Sequence, residues 1–119
     1  HGACVCLRSI SGRGTAMPCC RRGLCACGCQ MREFQGRLVE CCTIQKPNTP
    51  SVSVVLVPET PAALGMTRTA ATTTTGQTIW QASRGPCNLA CVRLGPESCC
   101  VIGQVPHAEL VALLNAFEE

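Results

Sequence analysis

The sequence predicts a mainly β protein: a small disulfide-stapled β-sandwich or barrel-like domain with a Cys-rich N-terminal arm and one C-terminal amphipathic helix. Three observations predict it. Short β-branched runs bounded by turn formers recur at intervals of about ten residues between Gln30 and Val105. Thirteen of the 119 residues are Cys, a density at which small domains are held by sulfur. At the end the period changes, and Leu110, Leu113, Leu114 and Phe117 fall at i, i+3, i+4 and i+7.

Composition divides the chain into an arm over residues 1–46, a β domain over 47–105 and a helix over 106–119. Nine of the Cys lie before Thr43, where Gly2, Gly12, Gly14, Gly23 and Gly28 break any period. That pattern predicts loops and short extended pieces tied by sulfur. Gln30–Phe34 and Arg37–Ile44 around Gln35-Gly36 read as a hairpin, because Gly inside a helix would cost about 1 kcal/mol. The alternative is one helix broken at Gly36. The seam Lys46-Pro47-Asn48-Thr49-Pro50 is a linker or a long crossing loop.

Ser51–Val57 is β-branched between Pro50 and Pro58 and reads as a well-buried strand. A Thr-rich run, Thr67–Thr75, precedes Gly76, and Gln77–Ala82 reads as a further strand. Ser83-Arg84-Gly85-Pro86 reads as a turn. Cys87–Leu94 and Cys99–Val105 then form a hairpin around Gly95-Pro96-Glu97-Ser98. Pro106 suits the first turn of the helix that follows. Its Leu/Phe stripe either covers the sheet or, through Leu110, Leu113, Leu114 and Phe117, grips a neighbouring subunit.

Charged residues make up only 14% of the chain and the mean hydropathy is positive, so the surface is expected to be sticky. The excess positive charge sits in the first 42 residues, where six Arg face two Glu, but Arg21-Arg22 is the one adjacent basic pair there and Phe34 the one aromatic; no nucleic-acid partner is expected. No apolar run is long enough to cross a bilayer as a helix. A chain that begins at His1 instead of Met fits an exported, processed protein, located outside the cell or on a cell or spore surface. Asp is absent and His scarce, which leaves few groups for acid–base chemistry, so neither catalysis nor a cofactor is expected. His1 and His107 could together brace a copper ion, but His107 reads better as a residue of the first helical turn.

The Cys spacings carry the functional expectation. Cys19-Cys20, Cys41-Cys42 and Cys99-Cys100 are doublets whose members stand about 3.8 Å apart at Cα, too close for the usual disulfide. On a strand, doublet members point to opposite faces, one inward and one outward. Cys4-Val5-Cys6 and Cys25-Ala26-Cys27-Gly28-Cys29 place thiols on one face of an extended segment. Cys4, Cys6, Cys19, Cys20, Cys25, Cys27 and Cys29 could therefore form a soft-metal thiolate cluster, although C-x-x-C, the usual zinc spacing, occurs nowhere.

An odd total of 13 leaves at least one thiol without a partner inside its own chain. With the sticky surface, this favours a self-associating structural subunit of a fibre, coat or lattice. Its disulfide and crosslinking residues are expected among Cys4, Cys6, Cys19, Cys20, Cys41, Cys42, Cys87, Cys91, Cys99 and Cys100, and its partner is itself. A Cys-bearing arm ahead of a Thr/Val-rich β body is similar in general look to cysteine-rich subunits of bacterial spore surfaces and appendages. A secreted monomeric effector or inhibitor, with the sulfur holding binding loops, is the third reading.

Overall fold

The computed structural model describes residues 29–117 except 35 and 46, and Cys29 through its backbone alone. Within these lie seven strands, β1 (Cys29–Phe34), β2 (Arg37–Ile44), β3 (Val52–Val57), β4 (Thr67–Thr72), β5 (Thr78–Arg84), β6 (Cys87–Leu94) and β7 (Glu97–Gly103), followed by one helix, α1 (His107–Phe117). The strands form a single sheet in the order β1-β2-β3-β7-β6-β5-β4. Every neighbouring pair is antiparallel.

The expected mainly β fold with a C-terminal helix is present, but the sandwich or barrel is not. One sheet replaces two, and it stays open, with β1 and β4 at its ends among the described residues. Two meanders, β1-β2-β3 and β4-β5-β6-β7, join where β3 pairs with β7. The expected boundary at residues 46/47 falls in the connection between β2 and β3, inside this sheet, so segments on both sides of it share one set of backbone hydrogen bonds.

Turn chemistry sets the register of the second meander. Gly85-Pro86 and Gly95-Pro96 each make a two-residue turn in which the glycine has positive φ, +57° and +61°. Gly followed by Pro suits a type II′ hairpin turn, because only the first central position needs positive φ and Pro supplies negative φ at the second. The strands are therefore longer than expected: β5 runs to Arg84, and Glu97 and Ser98 pair with Leu94 and Arg93 instead of looping. Thr67–Thr72 is a strand with a register shift between Arg68 and Thr72, where the Thr69 Oγ1 donates to Ile79 O at 2.7 Å.

Strand order has a direct consequence for burial. Leaving β3, the chain must pass β7, β6 and β5 to reach β4, about 19 Å at the usual strand spacing. Nine residues, Pro58–Met66, make that crossing over one face, and Leu64 and Met66 pack there with Val39, Cys41, Val55, Val57, Leu89, Cys91 and Cys100. The crossing is pinned by Arg84 Nη2 donating to Leu64 O at 3.0 Å and by Ser98 Oγ donating to Glu59 O. Helix α1 covers the opposite face, setting Leu110, Leu114 and Phe117 against Cys42, Val54, Leu56, Ile79, Ala90, Val92, Cys99 and Val101. The helix is tied at both ends: Thr74 N donates to Asn115 Oδ1 at 3.0 Å, and His107 Nε2 lies 3.1 Å from Ala82 O. The central strands are thus buried on both faces, which explains why Val54–Val57 and Cys99–Val101 read as continuous apolar runs.

A Cβ at Gly95 would meet no atom, so the effect of Gly95→Ala isolates the backbone conformation. We expect the variant to lose about 1–2 kcal/mol of unfolding free energy through its left-handed φ, read in urea with an unchanged m value.

Candidate functional site

The chemistry-bearing side chains of this chain are its cysteines, and the structure places six of them about the sheet. The doublets obey strand alternation: Cys41 and Cys100 lie on the face under the Pro58–Met66 crossing, Cys42 and Cys99 on the face under α1. The expectation that one member of each would point outward does not hold, because both faces are covered. Cys42, Cys91 and Cys100 are fully buried, and Cys99 and Cys41 nearly so. Cys87, at the start of β6, is half-buried.

Disulfide stapling of the β domain is not confirmed among the described residues. Cys42 is disulfide-bonded, and the backbone of Cys29 stands opposite it in the β1–β2 register. Cys41, Cys87, Cys91, Cys99 and Cys100 are in the thiol form. Cys4, Cys6, Cys19, Cys20, Cys25 and Cys27 lie outside the described residues, as does the side chain of Cys29, so both the arm crosslinks and the thiolate cluster fall outside them. Among the described residues no three His, Cys or Glu side chains are grouped to hold a metal ion. His1 is likewise outside, and the His107 ring faces the Ala82 carbonyl.

One line of paired residues crosses the whole sheet. Gln30, Cys41, Val55, Cys100, Cys91, Trp80 and Arg68 stand opposite one another in turn from β1 to β4. At its centre Cys100 donates to Cys91, with the sulfurs 3.1 Å apart, and Cys91 donates weakly to Val92 O at 3.7 Å. The Sγ–Sγ hydrogen-bond contact with Cys100, in which Cys91 keeps its proton, and burial push the Cys91 thiol well up, with the nearby Cys100 and Cys99 sulfurs adding to the effect and Ser98 opposing it. Burial pushes Cys41 above its ordinary value of 9.0, against a hydrogen bond from Ser53 and the charge of Arg32. A buried thiol that holds its proton is a poor nucleophile and a poor metal ligand.

Of the residues expected to mediate self-association, Leu110, Leu114 and Phe117 are spent on the chain's own core, since an amphipathic stripe beside an uncovered sheet face docks there first. Leu113 is partly buried and lines a cleft of about 420 Å³ with Ile44, Pro50, Val52, Val105 and Ala116. The large apolar side chains exposed among the described residues are elsewhere, in the first hairpin: Leu38 is 69% exposed and Met31 40%. Met31 pairs with Glu40 and Glu33 with Leu38, so Met31 and Leu38 are diagonal neighbours on one face of the hairpin. The sequence signal for them was the hairpin alternation itself, which sets Leu38 on the same face as Glu40 and Cys42.

Alkylation of the reduced, folded protein should modify Cys87 well before Cys41, Cys91, Cys99 or Cys100; equal rates for Cys87 and Cys91 would contradict the burial described. Unfolded thiols ionise near 9.0, while folded Cys41 and Cys91 keep their protons to higher pH. Their contribution to stability is complete below that value and is lost as pH rises above it. Urea midpoints of the reduced protein should accordingly fall on going from neutral pH to above 9.0.

No protein-family model, curated protein or solved structure matches this chain, so its functional reading rests on its own residues.

Proposed function

We propose that this chain is an exported structural subunit that associates with copies of itself and is then locked by disulfides into a fibre, coat or lattice. The observation that carries this reading is the adjacent exposed pair Met31 and Leu38. They are the large apolar side chains left in water among the described residues, on a chain with only 14% charged residues. Burying a Leu against a partner is worth about 1.5–3 kcal/mol, and a symmetric contact uses each patch twice. The odd Cys total supports the covalent step, since at least one thiol per chain is left over from internal pairing. Cys91, Cys99, Cys100 and Cys41 are too deeply buried to serve; the locking thiols of this reading are Cys87 and those of the arm, such as Cys4, Cys6, Cys19 and Cys20. Catalysis plays no part in it.

Electrophoresis without reductant should give multiples of a band that collapses to 12.5 kDa with reductant. Sedimentation in reductant should show concentration-dependent association that Leu38→Glu weakens by about tenfold, equivalent to about 1.4 kcal/mol. A monomer at all concentrations, with and without reductant, would end this reading.

A further inference from the structure

We propose that Cys91 and Cys100 form a disulfide within the chain, a covalent clasp between β6 and β7 that closes as this hairpin folds and is sealed when the sheet is covered. The two residues are direct partners in the antiparallel register. Directly opposed residues in such a pair have Cα atoms about 4.5–5.5 Å apart, inside the disulfide range of about 4.4–6.8 Å, whichever type of pair they form. Their sulfurs are 3.1 Å apart, about 1 Å beyond the bonded distance, a gap that small side-chain rotations close. Neither sulfur touches solvent, so neither can bridge to a second molecule while the sheet is intact.

The oxidant is a small-molecule disulfide such as oxidised glutathione. The thiolate of one cysteine attacks it, expelling one glutathione thiolate and leaving a mixed disulfide; the second cysteine displaces the other glutathione and forms the Sγ–Sγ bond. Two electrons pass from the protein sulfurs to glutathione, and the two thiol protons end on the two glutathione thiols released. The hairpin is local, the two cysteines standing nine positions apart along the chain, so it can form before the Pro58–Met66 crossing and α1 close over its faces. Once they have closed, oxidant and reductant are both kept out.

The test refolds the full reduced chain in a glutathione redox buffer, blocks remaining thiols in acid, and digests with trypsin without reduction. Cleavage after Arg84 and Arg93 separates Gly85–Arg93, which holds Cys87 and Cys91, from Leu94–Glu119, which holds Cys99 and Cys100. The two peptides should appear joined, in the wild type and in Cys87→Ala and Cys99→Ala, and separate in Cys91→Ala and Cys100→Ala. In the wild type the junction should resist reductant until denaturant is added. Recovery of wild-type Cys91 and Cys100 both carrying the blocking group would overturn the proposal, as would a junction that survives Cys91→Ala or Cys100→Ala. A junction reduced equally fast with and without denaturant would overturn the sealing. The clasp is independent of self-association: Cys91→Ala should leave the ladder of multimers on a non-reducing gel unchanged, so either idea can fail without the other.

Discussion

The pairing of β3 with β7 is the constraint on which the rest of this structure depends. A simple meander would have placed β4 beside β3 and left one sheet face to be covered by something else. Because β7 takes that place, the chain between Pro58 and Met66 has to travel across three strands, and in doing so it brings Leu64 and Met66 down onto a face that α1 cannot reach. Crossing and helix together give the central strands two covered faces without a second sheet. Apolar area removed from water is the main driving force for such an arrangement, and the central strands, β-branched and sulfur-bearing with few aromatics, are thin enough to accept cover on both sides.

Double coverage changes what the thiols can do. On a half-exposed strand a Cys doublet offers one sulfur to water and one to the core. Here Cys99 and Cys100, and equally Cys41 and the disulfide-bonded Cys42, are withdrawn from water on both sides, and the three thiols behave first as small apolar side chains. Burial also raises the cost of the thiolate, so the same packing that hides Cys41 and Cys91 suppresses their reactivity. Among the described residues, reactive sulfur is therefore displaced toward Cys87 and away from the middle of the sheet.

What was legible in the sequence follows from the range over which each feature is determined. The hairpin from Gln30 to Ile44 and the helix after Pro106 depend on local signals, a Gln-Gly turn and an i, i+3, i+4, i+7 stripe, and both are present within a residue or two. The Cys87–Gly103 hairpin was legible but its register was not. Glu97 and Ser98 are polar and read as loop, yet Gly95-Pro96 alone completes the turn, which moves the pairing by two residues and brings Cys91 opposite Cys100 instead of Ile102. β4 was obscured because Thr67–Thr72 is a largely exposed edge with no buried alternation to reveal it. Strand order, and with it the open sheet, lay beyond any local pattern. So did the burial of Glu40, whose carboxylate shares its strand face with Cys42 and Ile44.

The parity of the cysteines survives the rearrangement of their roles. Each intrachain bridge consumes two thiols, so the bond at Cys42, a clasp between Cys91 and Cys100, and any others leave the remainder of 13 odd. What the structure changes is where the leftover sulfur can be of use. A thiol buried under α1 or under the crossing is reachable only by opening the sheet, whereas one at the start of β6 meets a partner at little cost. The exposed Met31 and Leu38 belong to the hairpin at the opposite end of the strand order from β4, β5 and β6. An association through that hairpin would therefore leave Cys87 clear of the contact, and the apolar docking and sulfur locking proposed above would then act at separate places on one small sheet.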